Sequence, residues 1–215
     1  MTDRGTRTVI IGALLCLLIF AAVALLVVTG ASQAFDDGVL HALRRAGDPS
    51  APAGPQWLLT VMRGVTALAG TPLLAVLTLI LTGWFAARRE WGSLAVLLAV
   101  VLGETALSNG LKVLFDRPRP DLAGHLVEVQ THSFPSGHAT SAAAIYLTLA
   151  GFVAASAKAR IVRNFAFAVA VLMAVIVGAS RIYLGVHYPT DVIGGLALGT
   201  GWAAIVWIAA RQFER

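Results

Sequence analysis

The sequence has few charged residues and almost no cysteine. Of its 215 residues, only 13% are Asp, Glu, Lys or Arg, whereas soluble domains contain about 25%. The single cysteine, Cys16, excludes an internal disulfide. Apolar residues are abundant instead: 58% of the chain is hydrophobic and the mean hydropathy is +0.80. This balance excludes an ordinary soluble domain and indicates an integral membrane protein.

The net charge of +5 does not indicate a nucleic-acid partner. The Lys and Arg residues fall between apolar runs, whereas a nucleic-acid binder clusters them on one polar face. We therefore expect membrane lipids around the protein, no nucleic acid and no obligate protein partner.

Apolar runs long enough to cross a bilayer recur along the chain. A spanning helix needs about 20 apolar residues. Runs of that length lie near residues 8–30, 57–86, 91–114, 138–157, 163–181 and 190–210. The first run is longer than the roughly 7–15 apolar residues of a signal peptide, so we predict a retained helix. The expected fold is all-α, an integral membrane bundle of about six transmembrane helices in one membrane-embedded domain, residues 1–215.

The polar connection at residues 31–56 contains a further helical pattern. Phe35, Val39 and Leu43 recur at a spacing of four residues, with Leu40 beside them. This spacing predicts a short amphipathic helix lying on the membrane surface. The other long connection, residues 115–137, is on the same side of the predicted bundle.

Basic residues are biased toward one set of connections once Lys112, Arg119 and Arg181 are set aside as candidate functional residues. That set contains Arg4, Arg7, Arg88, Arg89, Lys158, Arg160, Arg163, Arg211 and Arg215. The opposite set also contains Arg44, Arg45 and Arg63. Because cytoplasmic loops are enriched in Lys and Arg, both termini are predicted to be cytoplasmic. The long connections then face the extracytoplasmic side of a prokaryotic inner (plasma) membrane.

Lys112 and Arg119 form the first of three polar stretches in the second half of the chain. Arg can bind two phosphoryl oxygens at once, whereas Lys acts as a point charge. The prolines at 118 and 120 hold the loop extended and orient Arg119. Alternatively, the two cations extend to lipid head groups. The neighbouring Asp116 and Arg117 could pair with each other or with lipid.

The second stretch is Pro135-Ser136-Gly137-His138, just before an apolar run. The first N–H groups of a helix bind anions readily. Ser136 can donate to a phosphate oxygen, Gly137 permits close approach of the backbone, and His138 can transfer a proton. An ordinary helix start with an incidental histidine is the alternative.

The third stretch contains Ser180, Arg181, His187 and Asp191. If the last two lie on one helical face, the carboxylate fixes one imidazole nitrogen and leaves the other free to attack. Pro189 between them fits only the first turn of a helix. The spacing of the histidines and carboxylates does not match a metal site, so we expect no metal.

The motifs Lys-x6-Arg-Pro, Pro-Ser-Gly-His and Ser-Arg-x5-His-x3-Asp together resemble those of the type 2 phosphatidic acid phosphatase (lipid phosphate phosphatase) family. The matching positions are Lys112, Arg119, Pro120, Pro135, Ser136, Gly137, His138, Ser180, Arg181, His187 and Asp191. These motifs lie within residues 112–191, and the six-helix layout extends the resemblance over nearly the whole chain. Three motifs in order are far more specific than any one of them.

The resemblance implies a phosphatase that needs no metal and no cofactor. In that family the residue matching His187 attacks phosphorus, the one matching Asp191 supports it, and the one matching His138 protonates the leaving group. The remaining matched residues would bind the phosphate, namely Lys112, Arg119, Ser136, Gly137, Ser180 and Arg181.

Expected substrates are undecaprenyl pyrophosphate, phosphatidylglycerol phosphate and phosphatidic acid, among which the short loops do not select. The alternative is a non-catalytic phospholipid-binding or lipid-flipping membrane protein. Such a protein would not need a histidine paired with a carboxylate, so His187 and Asp191 favour the enzyme.

Other ionisable residues have weaker predicted roles. Glu104, Ser108 and Lys112 share one helical face, and a carboxylate at that depth is costly unless paired. We expect Glu104 to support the site from beneath Lys112. The loop residues His125, Glu128 and His132 either influence the choice of head group or are simply solvated.

Overall fold

The structure is a computed structural model that describes residues 3–121 and 131–213. In these residues eight helices and two short strands follow one another along the chain. They are α1 (Asp3–Val28), α2 (Gln33–Ala42), β1 (Arg44–Arg45), β2 (Asp48–Pro52), α3 (Gln56–Ala67), α4 (Thr71–Ala87), α5 (Trp91–Phe115), α6 (Gly137–Ser156), α7 (Arg160–Tyr183) and α8 (Pro189–Phe213). His125 and Glu128 lie outside the described residues.

The predicted all-α membrane bundle is confirmed. Among the described residues, six segments are long and apolar enough to cross a membrane. They are Gly5–Val28, Gln56–Ala87, Trp91–Phe115, Gly137–Ser156, Arg160–Tyr183 and Pro189–Arg211. The second comprises two helices, because α3 ends before Gly70 and α4 begins at Thr71 with Pro72 in its first turn. Proline is accommodated there because the first N–H groups of a helix lack intrahelical partners.

The predicted amphipathic helix is confirmed as α2. Among its apolar residues Leu40 is buried and Phe35 is 55% exposed, and the buried face also contains Asp36. Asp36 and Leu40 are four residues apart and therefore share one face. A carboxylate occupies the buried face because partners from distant segments surround it, as described below.

A small antiparallel hairpin, β1 with β2, follows α2 and was not predicted from the sequence. Arg44 donates from Nη1 to the carbonyl oxygen of Tyr183 at 2.9 Å. The Tyr183 hydroxyl donates in turn to the carbonyl oxygen of Ala53 at 2.8 Å. These bonds attach the hairpin to the end of α7, directly before the segment that carries His187.

Two glycines allow α8 to approach α6 closely. A Cβ at Gly195 would lie 2.6 Å from the carbonyl oxygen of Ser136, and a Cβ at Gly199 would lie 2.2 Å from that of Thr140. Close approach at small residues is typical of packed membrane helices. This approach places the first turn of α6 beside the first turn of α8.

The three polar stretches lie at the same end of the bundle. Lys112 Nζ donates to the carbonyl oxygen of His132 at 2.8 Å, which connects the end of α5 to the segment before α6. The amide of Ser136 donates to the carbonyl oxygen of Asp191 at 3.0 Å, which connects that segment to α8. The connections between α4 and α5 and between α6 and α7 are at the opposite end. We call these the site end and the distal end.

Candidate active site

Arg119 connects two sides of the site through its guanidinium group. Nε donates to the carbonyl oxygen of Thr131 at 2.6 Å, and Nη1 donates to that of Val186 at 2.6 Å. The same Nη1 lies 3.1 Å from Nε2 of His187. Burial lowers the pKa of Arg119 and the Asp191 carboxylate opposes that shift. The guanidinium therefore sits at the imidazole edge that does not face Asp191.

His187 is buried between Arg119 and Asp191. Its Nδ1 lies 3.3 Å from Oδ2 of Asp191. Burial lowers the pKa of His187 to about 3, against the opposing effect of Asp191 and with smaller contributions from Arg119 and Arg181. The imidazole is therefore neutral, and the flanking groups favour the tautomer with hydrogen on Nδ1. In that tautomer Nε2 carries the lone pair.

Asp191 is 0% exposed and accepts hydrogen bonds on both carboxylate oxygens. Oδ2 accepts from the Tyr188 amide at 2.9 Å and from the Ser133 hydroxyl in a close contact. Oδ1 accepts from Nη1 of Arg117 at 2.7 Å. His187 lies just before α8 and Asp191 in its first turn, and Pro189 begins the helix as predicted. The carboxylate is therefore fixed relative to the imidazole.

The first turn of α6 faces Lys112. A Cβ at Gly137 would lie 3.7 Å from Cε of Lys112 and 3.8 Å from Oγ of Ser108. The hydroxyl of Ser136 is buried and has no hydrogen-bond partner among the described residues. The turn thus brings an unused hydroxyl and the positive end of a helix next to a lysine.

Arg181 is a buried cation of α7. Its Nη1 donates to Oγ1 of Thr66 at 2.8 Å, while its Nε has no partner in the described part of the chain. Arg181, Arg119 and Lys112 all act electrostatically on His138. Three cations from α5, α7 and the loop after α5 therefore lie within electrostatic range of the histidine of α6.

Two predicted site residues, Ser180 and Glu104, make hydrogen bonds away from the phosphate-binding residues. The Ser180 hydroxyl donates to the carbonyl oxygen of Val177 at 2.6 Å, within its own helix, which argues against its predicted contact with phosphate. Glu104 accepts on Oε1 from Ser141 at 2.8 Å and from Thr105 at 3.2 Å. It is buried on the same face as Lys112, as predicted, but it is hydrogen-bonded to hydroxyl groups rather than to the lysine.

The loop residues beside Arg119 form different pairs from those considered from the sequence. Nδ1 of His132 lies 2.8 Å from Oδ1 of Asp116, and both side chains are largely exposed. Arg117 does not pair with Asp116 or face lipid. It is buried and contacts Asp36 and Asp191 instead.

Sequence reasoning did not identify four residues that contact the site. They are Asp36, Thr66, Arg117 and Ser133. One signal was present for Asp36, since an acidic residue four positions before a leucine interrupts the apolar face of a short helix. The partners themselves could not be inferred, because Asp36 and Arg117 are 81 residues apart in sequence.

A profile of the PAP2 superfamily matches residues 91–215. The chain is 38% identical over 185 residues to phosphatidylglycerophosphatase B of Bacillus subtilis, covering 85% of this chain and 86% of that protein. It is 32% identical over 177 residues to a putative undecaprenyl-diphosphatase of Escherichia coli, covering 79% and 82%.

A solved structure has the same fold. The crystal structure of a transmembrane PAP2 type phosphatidylglycerolphosphate phosphatase from Bacillus subtilis superimposes with a TM-score of 0.83 at 32% identity. The superposition covers 94% of this chain and 98% of that one. The likeness therefore includes α1 to α4, which precede the matched superfamily region.

Proposed function

The chain belongs to the PAP2 superfamily and is a membrane lipid phosphatase, and we propose that it releases phosphate through a phosphohistidine formed on His187. This proposal rests on the spatial arrangement of three side chains, in which the His187 imidazole lies between Arg119 and Asp191. The carboxylate faces Nδ1 of the imidazole and the guanidinium faces Nε2 at 3.1 Å. A nucleophilic nitrogen is thus placed beside a cation that can hold the phosphoryl group it attacks.

The terminal phosphate of the lipid is bound by Lys112, Arg119 and Arg181, together with the Ser136 hydroxyl and the Gly137 amide. Ser136 Oγ and Arg181 Nε support this assignment, because neither has a partner in residues 3–121 and 131–213 and a buried polar group without a partner is costly. These fixed donors stabilise the charge of the transition state, so the chemistry needs no metal ion. Ser180 is left out because its hydroxyl serves its own helix.

In the first step Nε2 of His187 attacks phosphorus and the bond from phosphorus to the leaving oxygen breaks. His138 donates a proton to that oxygen, and it holds this proton because the bound phosphate anion offsets the charge of the surrounding cations. Asp191 stabilises the positive charge that develops on the His187 ring. In the second step water attacks the phosphohistidine, His138 accepts a proton from the water, and inorganic phosphate leaves with the His187 imidazole restored.

The substrate is a lipid with a terminal phosphate, and we propose phosphatidylglycerol phosphate first and undecaprenyl pyrophosphate second. The two relatives support this order, since phosphatidylglycerophosphatase B is the more similar of the pair. Phosphatidic acid, which offers the same monoester, is the third candidate. The whole chain, residues 1–215, acts as one phosphatase domain in this proposal.

The test is phosphate release by the detergent-purified protein from each of the three lipids, with and without chelator. We expect turnover with chelator present, and loss of turnover by His187→Ala of about 10⁴-fold or more. His41→Ala is the matched control, because this histidine is exposed on α2. Lipid labelled with ³²P should give an acid-labile phosphoenzyme in the wild type. Full activity of His187→Ala would refute the nucleophile, and a strict metal requirement would refute the metal-free chemistry.

We also propose that both termini are cytoplasmic in an inner (plasma) membrane and that the site end faces outward. Ser50, at the site end, and Lys158, at the distal end, are both exposed. In a Cys16→Ser background, Ser50→Cys should react with an impermeant maleimide in intact spheroplasts, and Lys158→Cys only after lysis. The reverse pattern would overturn the orientation and leave the chemistry unaffected.

A further inference from the structure

A buried network of charges joins α2 to the first turn of α8. Asp36 of α2 and Asp191 of α8 are both 0% exposed, and Arg117 is buried between them. Nη2 of Arg117 donates to Oδ2 of Asp36 at 2.8 Å and Nη1 donates to Oδ1 of Asp191 at 2.7 Å. One guanidinium therefore bridges two carboxylates that are 155 residues apart in sequence (191 − 36).

Thr190 completes the network. Its amide donates to Oδ1 of Asp36 at 3.0 Å and its hydroxyl donates to Oδ2 of Asp36 at 2.6 Å. Nη1 of Arg117 also donates to the Thr190 hydroxyl at 2.8 Å. Asp36 thus accepts hydrogen bonds from Arg117, which contacts Asp191, and from Thr190, which precedes Asp191 in the chain.

The position of Arg117 distinguishes it from Arg119, two residues further along. Its guanidinium lies over the Tyr188 ring at 4.2 Å from the ring centroid and is occupied by two carboxylates. Burial alone would lower the pKa of Arg117, but Asp191 and Asp36 raise it. A cation balanced by two anions is poorly suited to hold a phosphate as well.

We propose that Asp36 and Arg117 are positioning residues that act on His187 through Asp191, an inference that rests on the proposed function. Arg117 occupies Oδ1 of Asp191, and Oδ2 is therefore the oxygen that faces His187. Asp36 fixes the angle of Arg117 and balances its charge, which keeps Arg117 from drawing Asp191 away from the imidazole. The outer helix α2, which lies outside the matched region 91–215, is thereby part of the catalytic apparatus.

The expected effect falls on turnover rather than on substrate binding. Asp36→Asn keeps the shape of the side chain but replaces one acceptor with a donor that faces Arg117 and Thr190. Substitution of a group that orients a functional residue typically costs about 10- to 100-fold in activity. We therefore expect kcat to fall by about that factor, with KM and the inhibition constant of inorganic phosphate changed less than about twofold.

The experiment is a double-mutant cycle on the full-length enzyme in detergent, with ³²P-labelled lipid. The variants are Asp36→Asn, Asp191→Asn and the double mutant, with Asp37→Asn as the matched control on the same helix. If Asp36 acts through Asp191, its substitution should have little further effect in the Asp191→Asn background. A merely structural role would lower activity by the same factor in both backgrounds. Asp37→Asn should keep wild-type kcat.

Two further results would overturn the inference. One is a kcat per folded Asp36→Asn enzyme within twofold of the wild type, and the other is an additive cycle. If Asp36→Asn does not fold, Thr190→Val removes the hydroxyl bonds to Asp36 and Arg117 and should lower kcat without changing KM.

Wild-type turnover without an acid-labile phosphoenzyme would instead refute the proposed mechanism. If the wild type forms the ³²P-labelled phosphoenzyme and Asp36→Asn keeps wild-type kcat, the role of Asp36 is refuted and the proposed mechanism stands.

Discussion

The two ends of the helix bundle use the same residue types in opposite ways. At the site end Asp36, Arg117 and Asp191 are buried and fully engaged. At the distal end the pair formed by Arg88 and Glu90 has side chains that are 57% and 38% exposed. Removing one partner of a buried ion pair leaves an uncompensated charge, whereas an exposed pair is screened by water and salt. Charged side chains are therefore buried and paired at one end and largely exposed at the other.

The largest expected difference between the ends concerns a single arginine. Arg181→Ala should lower kcat/KM for lipid phosphate by about 10²- to 10³-fold, because one fixed donor to the transition-state charge is lost. Arg160→Ala, at the exposed start of α7, is the distal-end control and should stay within twofold of the wild type. Initial rates of phosphate release give both values. Comparable losses in the two variants would remove the distinction between the ends.

Helix packing should show the next largest difference. Gly195→Ala would drive a methyl group against the carbonyl oxygen of Ser136 and separate α6 from α8. We expect a loss of about 1–3 kcal/mol in unfolding free energy, with a lower melting temperature and reduced activity. Gly83→Ala on α4 is the control, because nothing lies within 4 Å of its added Cβ. Thermal unfolding in detergent measures both, and an unchanged Gly195→Ala melting temperature would contradict the packing.

A smaller effect is expected from the partner of Arg181. Thr66→Val removes the acceptor of the 2.8 Å hydrogen bond from Nη1 and leaves Arg181 less well fixed. A hydrogen bond to a charged group contributes about 1.5 kcal/mol, so kcat/KM should fall by roughly tenfold. Thr60→Val, an exposed position on the same helix, should leave kinetics unchanged. Equal kinetics for the two valine variants would show that Thr66 does not orient Arg181.

The smallest effect is expected at the distal end. Glu90→Gln removes the 2.5 Å ion pair with Arg88 but should change unfolding free energy by less than about 1 kcal/mol and leave turnover unchanged. High salt should abolish even that difference, since exposed charges are screened. Melting temperatures at low and high salt provide the measurement. A loss as large as that of Gly195→Ala would show that distal charges matter as much as the site.

Much of the site could be predicted because the patterns that indicate it involve residues close together in the sequence. Pro189 can stand only in the first turn of a helix, and a spacing of four residues brings His187 and Asp191 to the same side. The Lys112, Ser108 and Glu104 positions follow from the same periodicity, and all three are buried as one face of α5. The six spans follow from the lengths of the apolar runs and are confirmed.

The contacts that could not be predicted join distant segments. Thr66 and Arg181 are 115 residues apart, and Arg117 and Asp191 are 74 residues apart. Neither pair belongs to a periodic pattern, and a threonine or an arginine at a helix end has many possible partners. The burial of Asp36 on α2 could not be predicted for the same reason, because this carboxylate is acceptable in a buried position only once Arg117 and Thr190 surround it.

The sequence by itself determined that the chain crosses a membrane, and it predicted which side chains would bind phosphate, because bilayer thickness and helical periodicity act on neighbouring residues. It assigned Arg119 to phosphate binding but left the partner of Arg117 open between Asp116 and lipid. The tertiary structure decided the partners of both. Arg117 is enclosed by two carboxylates from α2 and α8, while Arg119 extends to the free nitrogen of His187. The position of each arginine is therefore set by the partners that helix packing brings to it and not by its residue type.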